Sequence, residues 1–482
     1  MPGRYRWQCP VRVLLNEGRS GRSEIREGRH STFVVTRKGF VRIVKSAFAG
    51  MGFPNDSPAA MEFPNEMFWP GSDLSPIEKE LDKIVFGLTK WESTVVDTKI
   101  KSLPPITVEG RDYQEALNNM NLLFLKNEWS DGLPLLPATR ERADWILGGT
   151  AIARNKVLGT MLPKASLVTV ESVAVSLAMA GGRPEYMPVL LAAVEAFLDP
   201  ASKHEHLQTT TGNNFPVVIV NGPIARQIRL GSGFGCCGPD PNHPSGSSIG
   251  RALRLLQMNV GGAVPGKGTM AEFGANRATN LVLAENEEGV PARWQTLSEE
   301  RGFPRGSNTV TIHFVTGAID MVPSTTSTKE AAIHTLNRWS AYIGCPFNMY
   351  WGFDTRWTSG SPGVVIMAPM TAQGLADAGY SKDNVREYLW EKTKLAPEKV
   401  KEFGFERHVA MLGADPSMPF PVSKTPGSLT IAIAGGASSG HALFLPNQGY
   451  CPVTKAIHLP GNARWEQLMQ SAEAELGPLP SN

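Results

Sequence analysis

Two adjacent thiols are the first residues in this chain whose placement could do chemistry. Cys236 and Cys237 lie in GSGFGCCGPDPNHPSGSSIGRALRLL, a glycine- and proline-rich stretch that runs into a helical pattern over 247–258. Neighbouring cysteines rarely close a relaxed disulfide with each other, because the ring is strained. Free, they could react or hold a soft metal. The plainer reading is that a tight loop needed small side chains. A helix start offers unpaired N–H groups and partial positive charge, which attract anions and lower thiol pKa values. Ser245, Ser247 and Ser248 carry capping oxygens, Gly246 permits close approach, and Arg251 could pair with a bound carboxylate or phosphate. His243 could act as a thiol base or simply be exposed in its PNHP turn. The stretch holds no Walker lysine and no dinucleotide fingerprint.

Three further groups of residues invite chemistry. In KHEHLQTTTGNN (203–214), His204 and His206 would share a face on a strand, but two ligands do not make a metal site, and none is assigned. Thr210, Thr211 and Asn213 precede a fully apolar strand, 216–221, whose far end turns at Asn221-Gly222-Pro223. Polar residues at the end of a core strand often line a pocket. In AENEE, Glu285 and Glu287 alternate and could face inward as an acid–base pair or cation ligands, although a solvated loop explains most such runs. AIAGGASSGHALFLPNQGYCPVTKAIH sends a strand into Gly435-Gly436, then Ser438, Ser439 and His441, with Lys455 further on. A glycine-rich turn leaving a buried strand is a frequent ligand cradle.

The elements that must hold these residues read as α/β. Strand signals at 309–315, 363–367 and 428–434 interleave with helix signals at 112–126, 168–180, 186–198, 328–343, 371–378, 382–393 and 463–475. Thr139 is placed to cap a helix ending at Gly148. The expected fold is multidomain α/β, with mixed or parallel sheets and flanking helices. A basic tail spans 1–30, and a small degenerate α/β unit covers 31–100. A large α/β domain covers 112–482, divisible into lobes 112–300 and 301–482. No internal repeat is evident, and the strand order does not follow from the sequence.

Composition narrows the function classes. Hydrophobic residues at 41% and charged residues at 19% describe a folded globular chain. Residues 1–50 carry 11 Lys/Arg against 3 Asp/Glu, which leaves the remainder net acidic. Confinement of the basic excess to one end argues against a nucleic-acid partner. No apolar run is long enough to span a bilayer, so no membrane role is expected. Five cysteines without metal-finger spacing, three of them the scattered Cys9, Cys345 and Cys451, fit a reduced, cytoplasmic setting.

Several segments together resemble the UGSC (seleno)protein family and its larger partner-type domain. They are DGLPLLPATRERADWIL, TVESVAVSLAMAGGRPEYMPVLLAAVEAF, VIVNGPIA, SIGRALRLLQMNVGGAVPG, AENEE and AGGASSGHALFLP…PVTKAI, covering roughly 120–460. Residues 31–90 resemble the end of that family's small thiol domain. The family's Cys/Sec-Gly-Ser-Cys motif is absent from residues 1–30, where Cys9 stands alone. The resemblance implies thiol or selenol redox work.

These readings converge on a pocket made by the 208–214, 231–251 and 435–441 loops. The leading expectation is a thiol-linked oxidoreductase acting on a small anionic substrate. Arg251 and the helix start would bind the anion, Cys236 or Cys237 would supply a thiolate, and His441 or His243 would move protons. One rival is carboxylate- or histidine-dependent lyase or hydrolase chemistry, with or without a metal. Another is a non-catalytic large subunit that partners a CGSC/UGSC thiol protein. The sequence names no cofactor and leaves a homo-oligomer open.

Overall fold

The computed structural model describes residues 34–37, 40–50, 60–64, 67, 72–90 and 106–480, apart from 276–278, 322–327, 345–360, 422, 438–439 and 448–449. The 1–30 tail with Cys9, as well as Cys345, Ser438 and Ser439, lies outside those residues. Near the amino end, β1 (Val34–Arg37) and β2 (Ala60–Phe63) pair in parallel around helix α1 (Val41–Gly50). Phe40 and Ile43 of this small βαβ unit bury themselves against Met270 of the larger body.

Local chemistry sets the next elements. Asp112 caps α2 (Tyr113–Lys126), and Thr139 caps α3 (Arg140–Leu147), each by accepting a backbone N–H. The 168–180 helix signal resolves into two pieces. An antiparallel pair, β3 (Val157–Met161) and β4 (Ser166–Thr169), ends at Thr169. Thr169 then forms a capping box that opens α4 (Val170–Met179). Helix α5 (Met187–Leu198) is apolar apart from Glu195 and almost wholly buried. Residues 204–209 are helical (α6, His204–Thr209), not extended. Two residues apart on a helix point in nearly opposite directions, so His204 and His206 do not share a face.

Two four-stranded sheets dominate the body. The first, in order β12-β7-β5-β6, is built from β5 (Phe215–Asn221), β6 (Leu281–Ala284), β7 (Thr309–Val315) and β12 (Val453–Ala456). The second, in order β10-β9-β11-β8, is built from β8 (Ile319–Met321), β9 (Gly363–Met367), β10 (Thr430–Ile433) and β11 (Ala442–Pro446). They stack face to face. Val217, Ile219, Leu281 and Leu283 of the first meet Val364, Ile366, Ala432 and Leu445 of the second in one core. Alternate residues point outward. Val218, Val220, Val282 and Ile312 pack under α4, α5 and α7 (Ser245–Asn259). Val365, Met367, Ile431 and Phe444 pack under α8 (Lys329–Ile343), α9 (Pro369–Asp377) and α10 (Lys382–Lys392). The result is four layers, helix–sheet–sheet–helix, each sheet buried on both faces as the apolar runs of β5, β6, β9 and β10 require.

The two sheets are wound alike, although the sequence shows no obvious repeat. Val217–Val220 run parallel to Leu281–Ala284, and Val364–Met367 run parallel to Thr430–Ile433. Val217 sits opposite His313 on the antiparallel neighbour, and Val364 sits opposite Leu445. The fourth strands match too, with Val453 opposite Ile312 and Ile319 opposite Phe444. Each half lends its last strand to the other: β7 is followed by β8 in the second sheet, and β11 by β12 in the first. The trace left in the sequence is VVIV at 217–220 and VVIM at 364–367.

Candidate active site

Both parallel strand pairs end at the same rim, and the rim is where the polar residues gather. The Asn286 N–H donates to the Ile433 carbonyl (2.7 Å), and the Ile433 N–H donates to Glu285 Oε1 (3.2 Å), tying the end of β6 to β10. Gly289 packs against Pro369, just past β9. The Gly435 N–H donates to the Ser232 carbonyl (2.8 Å), and Phe234 lies over Gly436 so closely that a Cβ there would clash at 2.1 Å. Gly435 has φ +107°, which explains a glycine at that turn. Ligands in open α/β sheets bind at such carboxy-terminal strand ends.

Asn221, Glu285 and Glu287 form one hydrogen-bonded cluster there. Asn221 Nδ2 donates to Glu285 Oε2 (2.7 Å) and to Glu287 Oε1 (2.8 Å). Two carboxylate partners fix which end of the amide is nitrogen, so Asn221 Oδ1 is an acceptor; it is buried and has no partner among the described residues. Glu287 Oε1 also accepts from the Gly222 N–H (2.9 Å), and Gly222 adopts φ +90° to present it. Glu287 is half-buried.

Glu285 does a different job. Its carboxyl is sealed and accepts from Asn221, from the Leu297 N–H (2.6 Å) and from the Ile433 N–H, with Lys382 Nζ 4.0 Å away. Burial raises its pKa, opposed by Lys382, the Asn221 amide and the two backbone donors. Every neighbour is a donor, so the site is built for the ionised form. Lys382, only 4% exposed, also donates to the Ile431 carbonyl (3.2 Å) and lies 3.5 Å from Glu300, which Arg386 holds at 2.8 Å. Glu285 is thus a clamp between the halves, and of the two expected acid–base carboxylates only Glu287 keeps an oxygen without a partner among the described residues.

His441 sits on the same rim, immediately before β11. Its carbonyl accepts from the Ala368 N–H and the Thr371 hydroxyl, which fixes the backbone. Its Nδ1 lies 3.1 Å from Asp320 Oδ1, and both side chains are open to solvent.

The thiol loop reaches this rim but is not set up as expected. Cys236 and Cys237 are reduced, with sulfurs 3.9 Å apart, and both pack against the core between the sheets. The hydrogen bond to Cys237, then burial, push the Cys236 thiol upward, the opposite of a nucleophilic thiolate. His243 Nδ1 bonds Asp240 Oδ2 (2.6 Å) within its own turn. That contact is the main cause of the lowered Asp240 pKa.

Other expected site residues lie elsewhere. Arg251 is clamped by Asp131 (2.8 and 2.9 Å) and by the carbonyls of Leu133 and Pro134, so its fork is taken. Ser248 begins the second turn of α7, whose start has no side-chain cap. Lys455 lies on the outer, helix-facing side of β12 and pairs with Asp199 (2.6 Å). Thr210, Thr211 and Asn213 lead into β5, at the end opposite Asn221. The three-loop pocket is therefore corrected: the 231–236 and 435–441 loops meet, and 208–214 does not join them. No group of three or more His, Cys, Asp or Glu residues able to hold a metal occurs among the described residues. No described helix is long and apolar enough to cross a membrane.

One set of residues passed unnoticed in the sequence. Thr309, Thr311 and His313 line the inner face of β7, buried between the sheets. They hid inside TVTIHFV, which reads as an ordinary core strand; the only signal was a histidine among β-branched residues. Comparison with family models, curated proteins and solved structures finds no match to this chain.

Proposed function

We propose that this chain is an acid–base enzyme of the lyase or hydrolase kind, with Glu287 as base and the His441–Asp320 pair as proton donor. The observation that carries the reading is the pose of Glu287. One oxygen is fixed by Asn221 and Gly222, and the other accepts from none of the described residues. A half-buried carboxylate held by one oxygen at a strand-end rim is placed to take a proton from a bound substrate. In the lyase form, Glu287 removes a proton from carbon beside a carbonyl, and the enolate's electron pair expels a leaving group from the next carbon, protonated by His441. Where nothing is expelled, the enolate takes a proton back from Glu287 or water, which is the exchange read below. In D2O, with a panel of small 2-oxo and hydroxy acids, the protein should wash deuterium into one C–H position. Glu287→Gln should stop the exchange. No exchange with any panel member, or undiminished exchange in the variant, would contradict the reading.

A thiol-linked oxidoreductase acting on a small anionic substrate is the second reading. It is favoured by the two reduced, adjacent sulfurs on the loop that bonds the Gly435 rim. The UGSC resemblance, a thiol-protein partner and a reducing compartment such as the cytoplasm belong with it. Turnover lost in the Cys236→Ser/Cys237→Ser double variant but retained in Glu287→Gln would select it.

A further inference from the structure

His313 is 1% exposed, in the middle of β7, and neither ring nitrogen has a hydrogen-bond partner among the described residues. Four residues back on the same face, the Thr309 hydroxyl is likewise buried and unpartnered. Thr311 between them meets Thr454 of β12 (3.0 Å), and Thr454 accepts from Arg301 Nε (3.1 Å). Arg301 also donates to the Pro452 carbonyl (2.7 Å), and no carboxylate lies within ion-pair distance of it among the described residues. The corresponding strand of the other sheet carries Leu443 and Leu445 opposite Ile366 and Val364. In the first sheet, Thr311 and His313 stand opposite Ile219 and Val217. The fold accepts hydrocarbon at these places, so packing does not require the polar groups.

We propose that the inner face of β7 and β12 is a binding site for a small carboxylate, gripped by His313, Thr311 and Thr309 with Arg301 at its edge. The groups supply a guanidinium, hydroxyls and an imidazole N–H, all able to donate. Among the described residues, the inner faces of β7 and β12 carry no carboxylate, and Glu285 and Glu287, at the rim end beyond Thr309, are already bonded by Asn221, which disfavours a cation. Glu300, the carboxylate that acts on Arg301, is itself bonded by Arg386, so Arg301 favours an anionic guest over a neutral one. Burial, then Arg301, push the His313 pKa down to about 3, so the ring is neutral beside a cation. Glu287 is not one of the gripping groups, although Asn221, which bonds it, stands opposite Thr309.

The test uses the full chain with 15N-labelled histidine, titrated with acetate and with malonate, and with glycerol as neutral control. One imidazole should shift saturably with the carboxylates and not with glycerol. The shift should vanish in His313→Leu and persist in Glu287→Gln. Thr309→Val should weaken binding about tenfold, as expected for one lost hydrogen bond to a charged group. Absence of any saturable carboxylate shift, or an equal response to glycerol, would show a water-filled seam and overturn the proposal. Should His313→Leu fail to fold, unchanged affinity in Thr309→Val would overturn it.

Discussion

The two sheets share a winding and a register and differ in what their inner faces hold. The second carries alanine and leucine at the rim and along its antiparallel strand: Ala434 after β10, Leu443 and Leu445 on β11. The first carries Glu285 after β6, Asn221 at the end of β5, and Thr309, Thr311 and His313 on β7, all buried. A buried polar group left unpaired costs ~1–3 kcal/mol. Paired buried charges barely repay their desolvation. One half shows what the architecture needs; the other half carries buried polar groups that packing alone does not require. The same contrast separates Glu285, surrounded by donors on all sides, from Glu287, held by one oxygen.

Breaking the clamp should have the largest effect. Glu285→Ala would leave the buried Leu297 and Ile433 N–H groups without acceptors and cost about 3–5 kcal/mol, read as a shift in the urea unfolding midpoint. The next effect is acid sensitivity. His313 and His204 have folded pKa values pushed down, to about 3 and about 4, chiefly by burial. The unfolded chain therefore binds more protons below pH ~6.5. Stability contributed by each neutral ring is present above that pH and is lost as pH falls toward its folded value, at up to ~1.4 kcal/mol per pH unit per ring. His313→Leu should flatten that slope; an unchanged slope between pH 6 and pH 4 would contradict the burial assigned to the ring. Smaller still, Asn221→Ala should cost ~1–3 kcal/mol and let Glu287 swing free, so deuterium exchange should fall further than stability. Cys236→Ala should cost about 1 kcal/mol or less and leave exchange intact, measured on the same samples.

Much of the element inventory was legible in the sequence, because 3.6-residue periodicity and end signals are local. The 112–126 segment is helical, Thr139 caps a helix that Gly148 ends, and the apolar runs at 216–221, 309–315 and 363–367 are strands. What was not legible depends on contacts far along the chain. Arg251 is claimed by Asp131, 120 residues earlier. Lys455 is claimed by Asp199, 256 residues earlier. His204 and His206 were misjudged because a six-residue helix leaves little periodicity to read. At the site, Asn221, Glu287, Gly435 and His441 were visible as residue types at strand ends. Their convergence on one rim depends on the stacking of the two sheets, and single-strand patterns carry no information about that.

The most direct test of the claim that the polar half is built for a ligand is the unfolding free energy of His313→Leu beside that of the natural chain at pH 7. The two side chains are similar in size, and the matching strand already holds leucine. The account predicts that the variant is as stable as the natural protein or up to ~2 kcal/mol more so, while losing carboxylate binding. A variant destabilised by 2 kcal/mol or more would show that the imidazole supports the fold itself, and the contrast between the halves would lose its functional meaning.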